Sequence, residues 1–571
     1  MCCVVSSLVS FDRLSSAGQP PPALGHIAFP TSGSPQAQPA FVRGVLLLHS
    51  FEYDDAIEAF RQAQTIEPGF ALAYWGEALA YNQPLWRNES PDKARAVLAR
   101  LATARLGGQE RGQTRSSGLT PVLTPREQGY LDAVERLFGD GDQASRARAY
   151  AERMGALHAQ FPDDDEAAAF YALALLSTIP EGERNPPVSL KAGEIALAIL
   201  KKNPEHPGAN HYALHAFDDG EHAVRALPAA RTYARIAPAS SHARHMPSHV
   251  FLPLGMWDEA VASDESAFAA SVAFAKRKRL SASQYDFHAL SWLQYEYLQQ
   301  GRFAKAREAM REVERAIGSG GASGSGGSGR ADRSAAAPAP VAPAPVVSGF
   351  SQTEHQHVES EIGRGFGPMS LKGELGSMRA RLVLESGHWA TMKGQGTFDN
   401  IDELFALGVA SVGLGDKDRA ASALENLQTA GKTIPDADAR DVAQIMAMEL
   451  DGLLRLTRGD RPGALAMLAR AAALEAKRPK PIARPYPVKP AGELYAEILL
   501  GTGDAAAALT QFQATLARTP RRAGALLGLA RAFEAAGRPA EAAQAAKEFL
   551  AVWHLADAGR PELAEMRALA R

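Results

Sequence analysis

Apolar and small residues recur along this chain with a spacing that predicts pairs of antiparallel helices. In the stretch GVLLLHSFEYDDAIEAFRQAQTIEP, residues 44–68, apolar positions return every three or four residues on both sides of a short polar turn. Gly44 and Ala56 would let two helices approach closely, and Phe60 would fill the space between neighbouring units. Pro68 would end the second helix. The pattern predicts one helix-turn-helix unit.

The same pattern returns near the C-terminus with a fixed period. Gly503 and Ala508 recur 34 residues later as Gly537 and Ala542, and 34 residues is the period of the tetratricopeptide repeat (TPR). Intermediate stretches such as LGMWDEA, LQQGRFAKA, LGDKDRA and TRGDRPGA have the same turn chemistry. No stretch is typical of a strand. The chain is therefore predicted to be an all-α, TPR-like solenoid of helix-turn-helix hairpins.

One composition change divides the predicted solenoid into two halves. Residues 317–350 are rich in Gly, Ser, Ala and Pro and cannot bury enough apolar surface to fold. We expect a flexible, disordered linker there. It would join an N-terminal solenoid at 40–316 to a C-terminal solenoid at 351–571, with a leader or unstructured N-terminus at 1–39.

The composition and charge of the chain exclude several classes of partner and site. The chain is 46% hydrophobic and 22% charged, has a net charge of −3 and carries no Lys/Arg cluster, so we expect no nucleic-acid partner. No run of 18 apolar residues predicts a transmembrane segment. The only cysteines are Cys2 and Cys3, which excludes a disulfide framework and a thiolate metal site. Any metal must be held by histidine and carboxylate.

The N-terminus leaves localisation open. MCCVVSSLVSF is apolar but has no basic residue before Asp12. We interpret it as the truncated or misassigned start of an exported, periplasmic protein. An unstructured N-terminus of a cytoplasmic protein is the alternative.

Histidines are concentrated on the repeat grid between residues 204 and 251. If Pro204 and Pro238 end the second helices of two consecutive units, two HxxxH pairs occupy repeat positions 5 and 9 of the following first helices, at 209–218 and 243–252. Residues four apart project from one face of a helix, and these positions face the concave groove of a TPR superhelix. We therefore expect four histidines to converge there: His211, His215, His245 and His249.

Further candidates come from the same grid. Asp218 and Asp219 fall at positions 12 and 13 of the first of these helices, and His242 and His288 fall at position 2 of theirs. His49 and Trp75 are expected to face the same groove. Loops or turns would contain Glu205, His206 and His222.

Three hypotheses explain the cluster. A metal site needs two to four imidazoles on rigid elements, with carboxylates beside them, and paired HxxxH helices supply both. A partly protonated groove could instead bind an acidic peptide or carboxylate ligand. Histidines that only bond helix ends and loops are the third possibility. It suits His206, His222 and His242 best, and positions 5 and 9 least.

A metal site of this composition has limited chemistry. Ligation by histidine without thiolate suits zinc, copper or iron. Three histidines with an open position would make a bound water acidic, and Asp218 or Asp219 could take its proton, as in a hydrolase. Four histidines with a carboxylate could equally hold a redox metal, as in an oxidase.

Several motifs carry a resemblance to a known family. LLHSFEYDDAIEAFRQAQ, NPEHPGANHYALHAFDD, SSHARHMPSHVFLPLGMWDEA and PVKPAGELYAEILL resemble a family of large bacterial TPR-repeat proteins with HSFEY, HPGxxHYxxH and HMPSH motifs. The resemblance covers most of residues 24–315 and the C-terminal third, and implies the fold and export but no reaction. Ser291 stands where the family's HxxDYL motif has an acid. The family's motif histidines correspond to His49, His206, His211, His215, His242, His245, His249 and His288.

The leading hypothesis is a TPR scaffold that binds a protein, a peptide or a small molecule through a His-rich concave groove. The alternative is a metal-dependent hydrolase or oxidase whose metal lies between two adjacent TPR helices. A structural assembly platform with an idle groove is the third option.

Overall fold

The computed structural model describes residues 24–110, 123–180, 183–321, 371–394, 398 and 400–571. The predicted leader up to residue 23 and most of the predicted linker, residues 322–350, lie outside the described residues. In the described ranges no helix is both long enough and apolar enough to cross a membrane.

Helices make up almost all regular structure of the described residues, which confirms the predicted all-α solenoid. The one departure is a short antiparallel pair, β1 (Asn82–Gln83) and β2 (Asn88–Glu89). Single 3₁₀ turns lie at Ala223–Ala226, Ala282–Gln284 and Trp389–Met392. The α-helices are α1 (Gln38–His49), α2 (Tyr53–Ile66), α3 (Ala71–Leu79), α4 (Pro91–Glu110), α5 (Pro125–Leu137), α6 (Gln143–Gln160), α7 (Asp165–Ser177), α8 (Pro186–Lys202), α9 (Pro207–Ala216), α10 (Leu227–Ile236), α11 (Ser241–His245), α12 (Ser248–Phe251), α13 (Trp257–Lys278), α14 (Phe287–Gln299), α15 (Phe303–Gly321), α16 (Leu371–Ser386), α17 (Ile401–Gly413), α18 (Lys417–Thr433), α19 (Ala437–Thr457), α20 (Arg461–Ala476), α21 (Ala491–Gly501), α22 (Ala505–Arg518), α23 (Ala523–Ala535), α24 (Pro539–Val552) and α25 (Pro561–Leu569).

Small residues set the helix-helix contacts as the repeat pattern predicts. A Cβ added to Gly44 of α1 would lie 2.6 Å from the Phe60 ring of α2, and one added to Gly76 of α3 would lie 2.3 Å from the same ring. Phe60 is fully buried. One aromatic side chain thus fills the space between the first hairpin and the next, and larger residues at the two glycines would separate the helices.

Seven hairpin turns share one backbone motif but not the same turn residue. In six hairpins the first helix ends with a glycine in the left-handed region, where L side chains are strained. In the first hairpin Phe51 occupies the equivalent position with φ 60°. Its N–H bonds Leu48 O and the next N–H bonds Leu47 O, as in the glycine turns. The six glycines are Gly255, Gly301, Gly415, Gly459, Gly503 and Gly537.

The segment at residues 24–36 packs against the helices, although we assigned it to an unstructured N-terminus. Leu24, Ile27 and Phe29 are buried. The Phe29 ring meets Trp75 edge-on with centroids 5.9 Å apart. Trp75 is itself fully buried, so it lies in the core and not on a groove surface as expected.

The C-terminal hairpins return to the middle of the chain. One continuous apolar core joins side chains of α13–α15 to those of α21–α25. The Trp257 indole N–H donates to Arg521 O at 2.9 Å, and Asp557 N–H donates to Gly301 O at 3.1 Å. The two halves therefore face each other across the space between α9–α14 and α16–α22.

Candidate metal centres

The four histidines expected to form one site lie on neighbouring segments but fall into two groups. His211 and His215 share α9, as predicted. The expected helix at 243–252 is interrupted at Pro247, because proline has no N–H to continue the helical ladder. His245 therefore ends α11 and His249 lies on α12, although their Nε2 atoms are still 3.1 Å apart.

His242 completes the first group, which we call the inner cluster (His211, His215 and His242). His211 Nε2 lies 2.9 Å from His242 Nε2 and 3.1 Å from His215 Nε2. His211 Nδ1 lies 2.7 Å from the carbonyl oxygen of His49. A carbonyl can only accept, so Nδ1 of His211 carries the hydrogen and Nε2 presents its lone pair to the other two rings. His242 thus contacts another imidazole, whereas the third hypothesis expected it to bond only helix ends and loops.

Aromatic side chains surround the inner cluster. The Phe51 ring centroid lies 4.2 Å from that of His211, 5.9 Å from His215 and 5.7 Å from His242. Tyr233 stacks on His211 with centroids 5.0 Å apart. The strained turn residue of the first hairpin thus covers all three imidazoles.

His288 completes the second group, which we call the cavity cluster (His245, His249 and His288). The centroids of the His245 and His288 rings are 4.6 Å apart in an edge-on arrangement. All three side chains are buried. His288 Nδ1 has no hydrogen-bond partner among the described residues. A ligand atom from each residue lies within 4.8 Å of the other two, as is also true of the inner cluster.

Carboxyl groups fix two imidazoles of the cavity cluster. His245 Nδ1 lies 2.6 Å from Asp264 Oδ1, and His249 Nδ1 lies 2.9 Å from Asp218 Oδ2.

Burial raises the pKa of Asp264, which lies beside the equally buried Glu296. Burial and the neighbouring Asp264 carboxyl likewise raise the pKa of Glu296. Burial and the proximity of the two carboxyls therefore disfavour two negative charges at this position.

Burial keeps five imidazoles of the two clusters neutral at pH 7: those of His211, His215, His242, His245 and His288. It lowers the pKa of His211 and of His245 to about 3, and for His245 the neighbouring His249 adds to the effect. The pKa values of His215, His242 and His288 also lie well below 6.5, because burial and the surrounding imidazoles disfavour a further positive charge. Neutral imidazole is the form that binds a metal ion.

His49 and His206 form a third group with Glu166, which we call the carboxylate cluster. His49 Nε2 lies 2.7 Å from Glu166 Oε2, and His206 Nε2 lies 3.3 Å from Glu166 Oε1. His49 Nδ1 bonds the Tyr212 hydroxyl at 2.8 Å. His206 Nδ1 caps α9 by accepting from Ala209 N–H. These contacts tie α1, α7 and α9 together, and His49 is fully buried instead of facing the expected groove.

Asp218 and Asp219 differ in position and contacts. Both follow the end of α9, so neither lies on the helix face that the repeat grid predicted. Asp219 accepts from the N–H groups of Glu221 and His222 and bonds His222 Nδ1 at 2.8 Å. Its carboxylate therefore holds a turn, whereas Asp218 contacts the cavity cluster.

A cavity of about 1340 Å³ lies between the two halves and reaches the cavity cluster. Five residues from the N-terminal half line it: Arg184, Asp218, His249, His288 and Trp292. The opposite wall comes from α16–α22 and the segment that joins α20 to α21, and includes Lys372, Arg381, Asp402, Arg478, Arg484 and Arg518.

Arg484 is the least paired buried cation of that wall. Its side chain is 8% exposed. Nη1 donates to Ser291 Oγ at 2.8 Å and lies 3.8 Å from Glu374, which Arg381 also contacts. No other hydrogen bond of Arg484 occurs within the described part of the chain, although a guanidinium has five N–H donors. Burial and the neighbouring Arg381 lower the pKa of Arg484 to about 10, although Glu374 opposes this.

Sequence reasoning missed the residues that distinguish the clusters. Glu166, Asp264 and Arg484 carry no motif, and each reaches a histidine or a histidine neighbour through a contact distant in sequence. Phe51 had a local signal, because it stands where the other hairpins have glycine. That comparison of turn residues would have marked it as unusual.

Comparisons with known proteins give only distant structural likenesses. A scan against protein-family models finds no match, and neither does a search of curated proteins. Human IFIT1 bound to m7Gppp-AAAA is 12% identical over 90% of each chain, with a TM-score of 0.30. Yeast Tom70 is 11% identical, covers 83% of this chain and 96% of its own, and has a TM-score of 0.31. Ypp1 is 8% identical, covers 94% and 89%, and has a TM-score of 0.41. Likenesses at this level extend to no ligand, partner or activity.

Proposed function

We propose that this helical-repeat protein is a metal-dependent enzyme whose transition-metal ion is held by His245, His249 and His288. The main support is the pair of carboxyl contacts at Nδ1 of His245 and His249. These contacts leave both Nε2 atoms available, and the two atoms lie 3.1 Å apart. Two nitrogens on one tetrahedral metal lie roughly 3.3 Å apart, given metal-nitrogen distances of about 2.0–2.1 Å. Carboxylate-histidine pairs of this kind are typical of metal ligands.

Hydrolysis is the chemistry that the surrounding groups support best. A metal held by three histidines retains a position for water and makes that water acidic. Asp218 Oδ2 accepts from His249 Nδ1, so we assign Asp218 a positioning role that leaves His249 Nε2 free for the metal. The role of proton acceptor considered for Asp219 is dropped because its carboxylate bonds His222.

An anionic ligand fits the cavity. The partly paired guanidinium of Arg484 lies on the wall and its carbon is 6.0 Å from the Trp292 ring centroid. Trp292 in turn lies 4.5 Å from the His249 ring. A carboxylate or phosphate group on Arg484 would complete its hydrogen bonds. The remainder of the same molecule could then reach the metal position past Trp292.

Burial weakens the hypothesis of a His-lined peptide groove. Three of the four histidines of that groove, His211, His245 and His249, are 0–4% exposed, and only His215 is half-buried. The set therefore offers little surface to a peptide lying on the solenoid. The lowered pKa values of His211, His215 and His245 also leave these imidazoles uncharged, whereas binding an acidic peptide requires protonated imidazoles.

Elemental analysis of protein purified without a metal-binding tag tests the proposal. We expect zinc, copper or iron in the parent and loss of one ion per chain in His249→Ala. His222→Ala, which alters a histidine outside the three clusters, is the matched control and should keep its metal. The metal-loaded parent should hydrolyse p-nitrophenyl phosphate or p-nitrophenyl acetate, and His249→Ala should not. Absence of metal from the parent after metal-replete growth would refute the proposal.

A further inference from the structure

The inner cluster is a second group of three histidines whose nitrogens lie close together, separate from those of the cavity cluster. Its three Nε2 atoms converge, and the two closest separations, 2.9 and 3.1 Å, involve the same atom of His211. The cavity cluster contributes no atom to this arrangement. The two sets of donors are therefore distinct, and each has three imidazoles.

The hydrogen bonds within the inner cluster leave imidazole lone pairs that a cation would engage. The His49 carbonyl fixes the hydrogen of His211 on Nδ1, so Nε2 has one lone pair for two neighbouring nitrogens. One lone pair accepts one well-aligned hydrogen bond. A metal ion between the rings would engage a lone pair from each of the three nitrogens at once.

The backbone at Phe51 is a second, independent observation. A bulky residue in the left-handed region is strained relative to glycine, and the other hairpin turns with this motif avoid that strain by using glycine. The Phe51 ring, which this backbone conformation positions, lies over all three imidazoles. A strained residue placed against a histidine cluster supports a functional role for that cluster.

We propose that the inner cluster binds a second transition-metal ion through Nε2 of His211, His215 and His242, beside the ion of the cavity cluster. His242 and His245 are three residues apart on α11 and therefore project from one face of that helix, with Cβ atoms about 5–6 Å apart. One turn of helix thus supplies a ligand to each ion. The inference rests on the proposed function only in assuming that the neighbouring cluster also binds metal.

The two ions have different surroundings and therefore different roles. The inner ion lies beneath an aromatic cover, and none of its three ligands lines the cavity. The outer ion faces the cavity. The positive charge of the inner ion, one helical turn away, would make water on the outer ion more acidic. The inner ion is the supporting member of the pair.

Metal stoichiometry tests this inference separately from the proposed function. The parent, loaded with zinc and freed of excess metal, should retain two ions per chain. His215→Ala and His249→Ala should each retain one, the double variant none, and His222→Ala two. One ion in the parent that is lost in His249→Ala and kept in His215→Ala would overturn the second ion and leave the proposed function standing. No ion in the parent would remove both.

A spectroscopic measurement guards against loss of metal through misfolding. In the copper(II)-loaded parent, two ions one helical turn apart should show dipolar broadening and a half-field signal in electron paramagnetic resonance. His215→Ala, or the alternative His242→Asn if His215→Ala does not fold, should show the spectrum of one isolated copper. An isolated-copper spectrum in the parent at two equivalents of copper would overturn the pairing.

Discussion

The inner cluster and the cavity cluster share a sequence pattern and differ in everything around it. Each has an HxxxH pair and one further histidine. In the inner cluster a backbone carbonyl orients His211, and Phe51 covers the rings. In the cavity cluster carboxyl groups orient His245 and His249, and one side faces a cavity. The same ligand spacing thus occurs in two different surroundings, one against an aromatic ring and one beside a cavity.

The largest expected effect comes from removing the cover of the inner cluster. Phe51→Ala should lower the free energy of unfolding by about 4 kcal/mol, because a buried aromatic ring is lost. Phe51→Gly should be about 1 kcal/mol less harmful, because glycine accepts the left-handed turn. Urea unfolding of the chelator-treated proteins measures both.

Phe60→Ala is the matched control for the cover. It removes an equally buried ring that lies between Gly44 and Gly76, so it should cost similar stability but leave zinc in the inner cluster. Phe51→Ala should lose that zinc at lower chelator concentration than Phe60→Ala. Equal zinc retention in the two variants would contradict a specific role for Phe51.

The carboxylate cluster extends the comparison to a group that we expect to be structural. Burial alone would raise the pKa of Glu166, but the imidazoles of His49 and His206 lower it to about 2 from the usual 4.5. A lowered pKa stabilises the fold above pH 4.5, and this contribution is lost as the pH falls from 4.5 towards 2. Glu166→Gln should therefore cost about 3 kcal/mol at pH 7.

Unfolding midpoints in urea at several pH values test the Glu166 contribution. The difference between the parent and Glu166→Gln should shrink as the pH falls from 4.5 to 2. Asp165→Asn, which alters the adjacent ion pair with Lys202, should follow the parent curve. A constant difference across the range would contradict this account.

A smaller effect should separate the two metal sites. Asp218→Asn removes the charge of the carboxylate that orients His249, and such changes reduce metal affinity by roughly 10–100-fold. Zinc affinity of the cavity cluster should fall accordingly, while the inner cluster keeps its affinity. Competition with a chromophoric chelator resolves the two sites, and Asp219→Asn is the matched control. An equal loss at both clusters would show that they behave as one site.

The smallest expected effect concerns the cavity ligand. Arg484→Met should weaken binding of pyrophosphate about tenfold, because a partly paired and buried cation is removed. Lys372→Met removes the same charge from an exposed position on the same wall and should change the affinity less than twofold. Calorimetric titration of the metal-loaded protein compares them, and equal losses would indicate only a general charge effect.

Local packing rules made the architecture predictable. The period between Gly503 and Gly537 and the contact of Gly44 with Phe60 each depend on one or two hairpins, so residue spacing was sufficient. The pairing of His211 with His215 followed from helical geometry in the same way. The helix expected at 243–252 was wrong in part because Pro247 outweighed the repeat register.

Long-range contacts account for what was missed. The division of four histidines into two clusters depends on His242 and His288, which the repeat grid could not assign to one group or the other. Asp264 reaches His245 from the neighbouring helix α13, and Arg484 reaches Ser291 from 193 residues away. Such contacts follow from how the halves face each other, and repeat spacing does not specify that arrangement.

The return of the C-terminal hairpins to α13–α15 changes how this solenoid should fold. An open repeat array unfolds in stages, since each unit contacts only its neighbours. Here Trp257 bonds Arg521 and Gly301 bonds Asp557, so the C-terminal hairpins cover the apolar face of the helices in the middle of the chain. Removal of the last hairpins would expose the apolar face of α13–α15 as well as shorten the array. Unfolding of the middle and the C-terminal repeats should therefore be cooperative, with the first hairpins as the more independent unit.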